Sequence, residues 1–179
     1  DGSNVVLRTS LAYLGMGLTW SPDGTKIAYS DYTDNYGNAI YVVGATSGSP
    51  VLLSAQTYND MNPAWSPDGT KIAVSGYTYS DDYYDYQGIY IINCDDGNCF
   101  TILTEAFSNN YPSWSPSGAK LAMLNGGNVC VINSDGSGFT TLLRSGSGGT
   151  SWSADGTIIV YTSLSGNVSW VAADGSTGG

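Results

Sequence analysis

The chain has 179 residues, enough for one domain that buries about 70% of its unfolded surface. Charged residues make up only 11% while Gly reaches 24 copies and Tyr 14, a balance that favours strands and tight turns over charged helices. Fifteen acids against five basic residues (Arg8, Lys26, Lys71, Lys120, Arg144) give a net charge of -10 with no basic stripe, which argues against nucleic acid and anionic membranes as partners. No apolar run approaches the roughly 18 residues of a membrane span.

In chain order, the polar start Asp1-Gly2-Ser3-Asn4 carries no signal-peptide pattern, so a soluble protein beginning at a processed terminus is expected. A strand is expected over Asn4 to Thr9. One motif then recurs four times: Trp20-Ser21-Pro22-Asp23-Gly24, Trp65-Ser66-Pro67-Asp68-Gly69, Trp114-Ser115-Pro116-Ser117-Gly118 and Trp152-Ser153-Ala154-Asp155-Gly156. After each comes a β-rich run (Lys26 to Ser30, Lys71 to Ser75, Lys120 to Leu124, Ile158 to Thr162). A loop and a second apolar run follow (Ile40 to Val43, Ile89 to Ile92, Val129 to Ile132, Val168 to Val171). A last strand closes three of the units: Val51 to Leu53, Phe100 to Leu103 and Phe139 to Leu143.

Within the motif, Pro presets the first corner of a type I turn, Asp bonds nearby backbone, and Gly takes the left-handed position that starts the return strand. The Trp-to-Trp spacings of 45, 49 and 38 suit a four-stranded unit that cannot bury both faces alone and must stack on its neighbours. The Trp residues are therefore expected in the core between units.

The run from Asn62 to Ala73, followed by Gly88-Ile89-Tyr90-Ile91-Ile92, resembles the WD40-like repeat of the TolB β-propeller family, and the other three units are similar to it. The four repeats are expected to form an all-β propeller with blades at about 11–54, 55–104, 105–144 and 145–174 plus strand 4–9, while the resemblance implies propellers commonly of more than four blades. It also implies an interaction surface, or a lid attached to a hydrolase. Departures from the repeat are Leu18 and Thr150 two residues before Trp, and Ser117 and Ala154 in the turns.

The two ends add a clue. Asp1 to Arg8 matches the last-strand segment Asp135 to Arg144 with a short gap, while the fourth unit stops at Ala173-Asp174-Gly175-Ser176 where its last strand should begin. Joining the ends gives a Trp-to-Trp spacing of 47, inside the range of the others. The N-terminal strand is thus expected to complete the fourth blade of its own chain or of a neighbouring copy.

Little chemistry is encoded. The absence of His removes Ser-His-Asp and Cys-His catalysis and most catalytic zinc sites. There is no nucleophile elbow and no phosphate-cradling Gly motif, and the single Glu105 forms no distinctive carboxylate pair. A non-enzyme is expected.

Loops between the second and third strands differ most between units. Two are rich in Asp and Tyr and are the candidate binding face: Asp31, Tyr32, Asp34 and Tyr36 in the first, Asp81, Asp82, Tyr83, Tyr84 and Tyr86 in the second. Partners on it would be proteins, the chain itself through N-terminal strand exchange, or glycans. No cofactor is expected, although Asp31, Asp34 and Asn35 offer oxygen ligands to Ca²⁺ without the strict pattern of an EF-hand. Cys94 and Cys99 flank a turn that would bring their Cβ atoms near the ~3.8 Å of a disulfide, a staple worth about 2 kcal/mol that points to an oxidising, secreted (extracellular or periplasmic) setting. Cys130, in an apolar run, reads as an inert buried thiol. Asn167-Val168-Ser169 is a glycosylation sequon, so Asn167 is a candidate acceptor.

The functional expectation is a non-catalytic secreted propeller for protein interaction or self-assembly into a filament or ring. The alternatives are a carbohydrate-binding propeller and the propeller fragment of a larger hydrolase or transport-associated protein.

Overall fold

The computed structural model describes residues 17–34, 37–54, 58–78, 86–95, 97, 99–104 and 109–176. Among them there is no helix; fifteen strands form four antiparallel sheets. The first sheet is β1 (Leu18–Trp20), β2 (Lys26–Thr33), β3 (Gly37–Gly44) and β4 (Val51–Leu52). The second is β5 (Tyr58–Trp65), β6 (Lys71–Thr78), β7 (Tyr86–Asn93) and β8 (Cys99–Thr104). The third is β9 (Asn109–Trp114), β10 (Lys120–Asn125), β11 (Asn128–Asn133) and β12 (Thr140–Leu143), and the fourth is β13 (Gly146–Trp152), β14 (Ile158–Ser163) and β15 (Val168–Ala172). Each sheet is ordered as its strands follow in the chain. The fourth has three strands among the described residues, and the N-terminal strand expected to complete it lies outside them.

The repeated turn forms as its chemistry dictates. In the first copy Gly24 N donates to Ser21 O at 2.9 Å, Ser21 Oγ donates to Asp23 Oδ1 at 2.6 Å, and Thr25 N donates to the same carboxylate at 3.0 Å. Lys26 N then donates to Ser21 Oγ at 2.9 Å, locking the return strand. Gly24 holds φ at 70°, which any side chain would strain. Where Ser117 replaces Asp the hydroxyl contact lengthens to 3.3 Å, a weaker version of the same lock.

Between sheets the core is made by side chains that alternate along β2, β6, β10 and β14. Ala28 and Ile40 of the first sheet pack with Trp65, Ile72, Val74, Tyr90 and Ile92 of the second. Ala73, Ile89 and Ile91 of the second meet Leu121, Met123, Cys130 and Ile132 of the third. Ala122, Val129 and Val131 of the third meet Ile159, Tyr161 and Val171 of the fourth. Each fully buried Ile or Leu contributes about 1.5–3 kcal/mol, so the three interfaces carry most of the stability.

One regularity has no counterpart in the motif. The residue three before each Trp has positive φ: Gly17 at 95°, Asn62 at 53°, Tyr111 at 55° and Gly149 at 36°. Strand registers shift at this place in β5, β9 and β13, so each is a bulge that bends the inner strand. The inner strands β1, β5, β9 and β13 neighbour one another in turn.

Candidate functional site

Two places stand out on this frame: the end that carries the variable loops, and the outer face of the fourth sheet. At the loop end, β2 and β3 stay paired out to Thr33 and Gly37, and β6 and β7 out to Thr78 and Tyr86. In each case the second strand runs two residues further past its Trp than in the third and fourth sheets. The strands that flank the two Asp- and Tyr-rich segments thus end at equivalent positions. Asp31 is half-buried and accepts from Tyr32 N at 2.8 Å, Tyr32 is exposed, and Asp34 is exposed in the turn. Tyr36, Asp81, Asp82, Tyr83 and Tyr84 lie outside the described residues, as does Asn35 of the calcium candidate; Tyr86 opens β7. Among the described residues no three of His, Cys, Asp and Glu gather as metal ligands.

Asn167 sits at the equivalent hairpin of the fourth sheet, exposed, with Nδ2 donating to Ser165 Oγ at 3.0 Å.

The expected hairpin disulfide is corrected: Cys94 is a free thiol. Its backbone N donates to Thr70 O at 2.9 Å, and its half-buried side chain packs against the core between the first and second sheets. Burial there pushes the thiol pKa up to about 11. Cys130 is buried and free as expected, its pKa also raised by burial.

The fourth-sheet face follows from the stacking rule. The position eight residues after each Trp is Ala28, Ala73, Ala122 and Val160, and its partner on the third strand is Val42, Ile91, Val131 and Trp170. In the first three sheets these side chains pack against the sheet that follows. In the fourth, Val160 and Trp170 are each 40% exposed and Val168, equivalent to buried Ile40, Ile89 and Val129, is 82% exposed. This face of the fourth sheet is exposed apolar surface beside an outer strand that is paired on one side only among the described residues.

The opposite end of the stack mirrors it. Trp114 Nε1 donates to Ala64 O and Trp152 Nε1 to Ser113 O, both at 3.0 Å, so each Trp bonds the carbonyl one residue before the Trp of the preceding sheet. A Cβ at Gly69, Gly118 or Gly156 would stand 3.6–3.7 Å from the Pro of the preceding turn. The first sheet has no described sheet before it. Trp20, expected in the core, is instead 54% exposed, and a Cβ at Gly24 would meet nothing within 4 Å. The sequence pattern missed both bare ends because it treats the four units as equivalent.

The sequence profile of the TolB beta propeller domain matches residues 1–178, and the chain belongs to that family. Similar solved structures include the one assigned as TolB from Agrobacterium tumefaciens, at 23% identity and TM-score 0.75, covering 90% of this chain and 62% of that one. A chain of a nidogen/laminin complex aligns at 13% identity and TM-score 0.75 over 93% and 64% of the two chains. An oligogalacturonate lyase in complex with manganese aligns at 16% identity and TM-score 0.69 over 90% and 51%. At these identities the likeness shows the fold, and the chain spans less than two thirds of the length of each. No curated protein matches the sequence. Among the described residues no helix is long and apolar enough to cross a membrane.

Proposed function

We propose that the protein is a non-catalytic interaction module whose partner is another protein, the chain itself included. The observation that carries this reading is the bare fourth-sheet face of Val160, Val168 and Trp170, which repeats positions that every other sheet buries against a neighbour. Exposed apolar surface joined to an open strand edge is the setting for β-augmentation, with main-chain bonds giving affinity and side-chain packing giving register.

The N-terminal strand Asn4 to Thr9 is the natural strand to add at that edge, in its own chain or in a neighbour. The loop end with Tyr32, Tyr36, Tyr83, Tyr84 and Tyr86 is a second contact surface. That an oligogalacturonate lyase shares the fold means the fold alone does not decide catalysis; the lack of His in this chain supports the non-catalytic reading. We also read the protein as working outside the cytoplasm. With Cys94 free, that placement rests on family membership and not on a disulfide.

Deleting residues 1–10 tests the reading, with association followed by sedimentation over a wide concentration range. A strand-donating module loses assembly yet stays folded; a self-closed one loses stability and aggregates. Unchanged association, together with retention on a glycan that Tyr32→Ala abolishes, would replace it with the carbohydrate-binding alternative.

A further inference from the structure

We propose that Asn167 is a modification site, its side-chain amide bearing an N-linked oligosaccharide at the tip of the hairpin between β14 and β15. This site shares with the interaction reading only the placement outside the cytoplasm.

Asn167 is the only Asn in the chain followed two residues later by Ser or Thr, the pattern that oligosaccharide transfer to an amide requires. The third sheet supplies an internal comparison. Cys130 pairs with Met123 as Ser169 pairs with Tyr161, so Asn128-Val129-Cys130 stands where Asn167-Val168-Ser169 does. There the hydroxyl is replaced by a fully buried thiol, and the half-buried Asn128 turns its Nδ2 inward to the Asn125 carbonyl at 2.9 Å. Asn167 is exposed instead, and its Nδ2 donates at 3.0 Å to Ser165 Oγ, which is on the exposed tip as well. The fourth hairpin thus joins the acceptor pattern to an accessible amide.

The tip is also held in place. Ser163 N donates to Asn167 O at 2.8 Å, Gly166 N to Ser163 O at 2.9 Å, and Asn167 N to Ser163 Oγ at 3.2 Å. Leu164 N donates to Ser145 O at 2.9 Å, which ties the tip to the segment before β13. Gly166 closes the turn with φ at 80°. Every residue from Leu164 to Val168 is exposed, and a tip of this kind projects past the strand ends, away from the faces on which sheets stack. The glycan would therefore border the end of the molecule that carries the Asp- and Tyr-rich loops.

The transfer balances at Asn167. Nδ2 forms a bond to C1 of the first sugar of a lipid-linked oligosaccharide. The C1–O bond to the polyprenyl phosphate carrier breaks, the carrier leaves with that electron pair, and Nδ2 releases one proton. The amide keeps its second hydrogen, which can still donate to Ser165 Oγ, so the hairpin loses no bond.

Trypsin leaves residues 145–179 as one peptide, because no Lys or Arg follows Arg144, and Asn167 is its only Asn. Mass spectrometry of this peptide, from protein isolated from its own cells with the cell fraction recorded, tests the proposal. The expected result is an added hexose- and hexosamine-containing mass on Asn167. That mass should disappear in Asn167→Gln and in Ser169→Ala and persist in Ser169→Thr, with circular dichroism and melting confirming that all three variants fold. A bare peptide in protein recovered outside the cytoplasm overturns the site and leaves the interaction reading standing. A bare peptide in protein recovered from the cytoplasm overturns the site and the placement together. Sugar that persists in Asn167→Gln, carried by Ser165 or another hydroxyl, overturns the site as well.

Discussion

Trp114 Nε1 donates a 3.0 Å hydrogen bond to the carbonyl of Ala64, fifty residues earlier in the chain, and Trp152 repeats the bond to Ser113. The motif Trp is thus both the end of an inner strand and the pin that sets one sheet against the last. Trp114→Phe and Trp152→Phe are expected to lower stability by about 1–3 kcal/mol, from the lost bond, the orphaned carbonyl and lost packing. Trp20→Phe, at an exposed position, should cost less than about 0.5 kcal/mol. Urea midpoints at neutral pH check the contrast, and equal losses at all three positions would mean that the bond between sheets is not what matters.

Tyr111 holds φ at 55°, where an L side chain carries strain of about 1–2 kcal/mol. The bulge needs that backbone, and Thr150 Oγ1 donates to Tyr111 O at 3.0 Å across to the next inner strand. Tyr111→Gly is expected to hold stability within about 0.5 kcal/mol or raise it, whereas Tyr111→Val, β-branched, should lose about 1–2 kcal/mol. Thermal unfolding of the two variants side by side is the check.

Asp60 is a carboxylate with no exposed surface, set between the first two sheets. Ser54 Oγ donates to its Oδ2 at 2.5 Å while accepting from Ile40 N at 2.9 Å, and Ser30 Oγ donates to its main-chain carbonyl at 2.8 Å. Breaking such a network strands buried polar groups, so Ser54→Ala is expected to cost about 2 kcal/mol and Asp60→Ala about 3 kcal/mol. The double variant should cost less than the sum, and an additive result would show that the two side chains do not act together.

Asp23, Asp68 and Asp155 are each held at about 2, first by the hydroxyl of Ser21, Ser66 or Ser153 and then by backbone N–H groups. The folded state therefore binds these protons less tightly than the unfolded chain. Their contribution is fully present above about pH 4 and is lost as pH falls through about 2. Urea midpoints taken from pH 7 down to pH 2 should fall in that window, and the triple Asp→Asn variant should flatten the fall while starting lower at pH 7. The third turn, with Ser117, contributes nothing to it.

Much of the fold is written locally. The turn at Trp-Ser-Pro-Asp-Gly depends on side chains within five residues of one another, so its position, its hydrogen bonds and the strand that follows are legible in the residues themselves. The bulge was not, because Gly17, Asn62, Tyr111 and Gly149 share a backbone angle and no side-chain chemistry. The free Cys94 has a related cause: spacing to Cys99 shows what a turn permits, whereas the core that Cys94 packs against is built partly from another sheet. In the sequence the exposed fourth-sheet face shows only as Val160 standing where Ala stands elsewhere and Trp170 where Val or Ile does. Burial is what turned that difference into a site.

The central claim is that the fourth-sheet edge and face are where protein docks, and amide hydrogen exchange read as a function of protein concentration tests it most directly. Val168 to Ala172 forms an outer strand that is paired on one side only among the described residues, and the amides on its other side should exchange fast in dilute protein. On concentration, protection is expected to rise in Val168 to Ala172, while the already buried strands Leu121 to Asn125 and Val129 to Asn133 stay as they were. Protection that is high and independent of concentration in Val168 to Ala172, or that rises only in the loop end around Asp31 and Tyr32, would contradict the account.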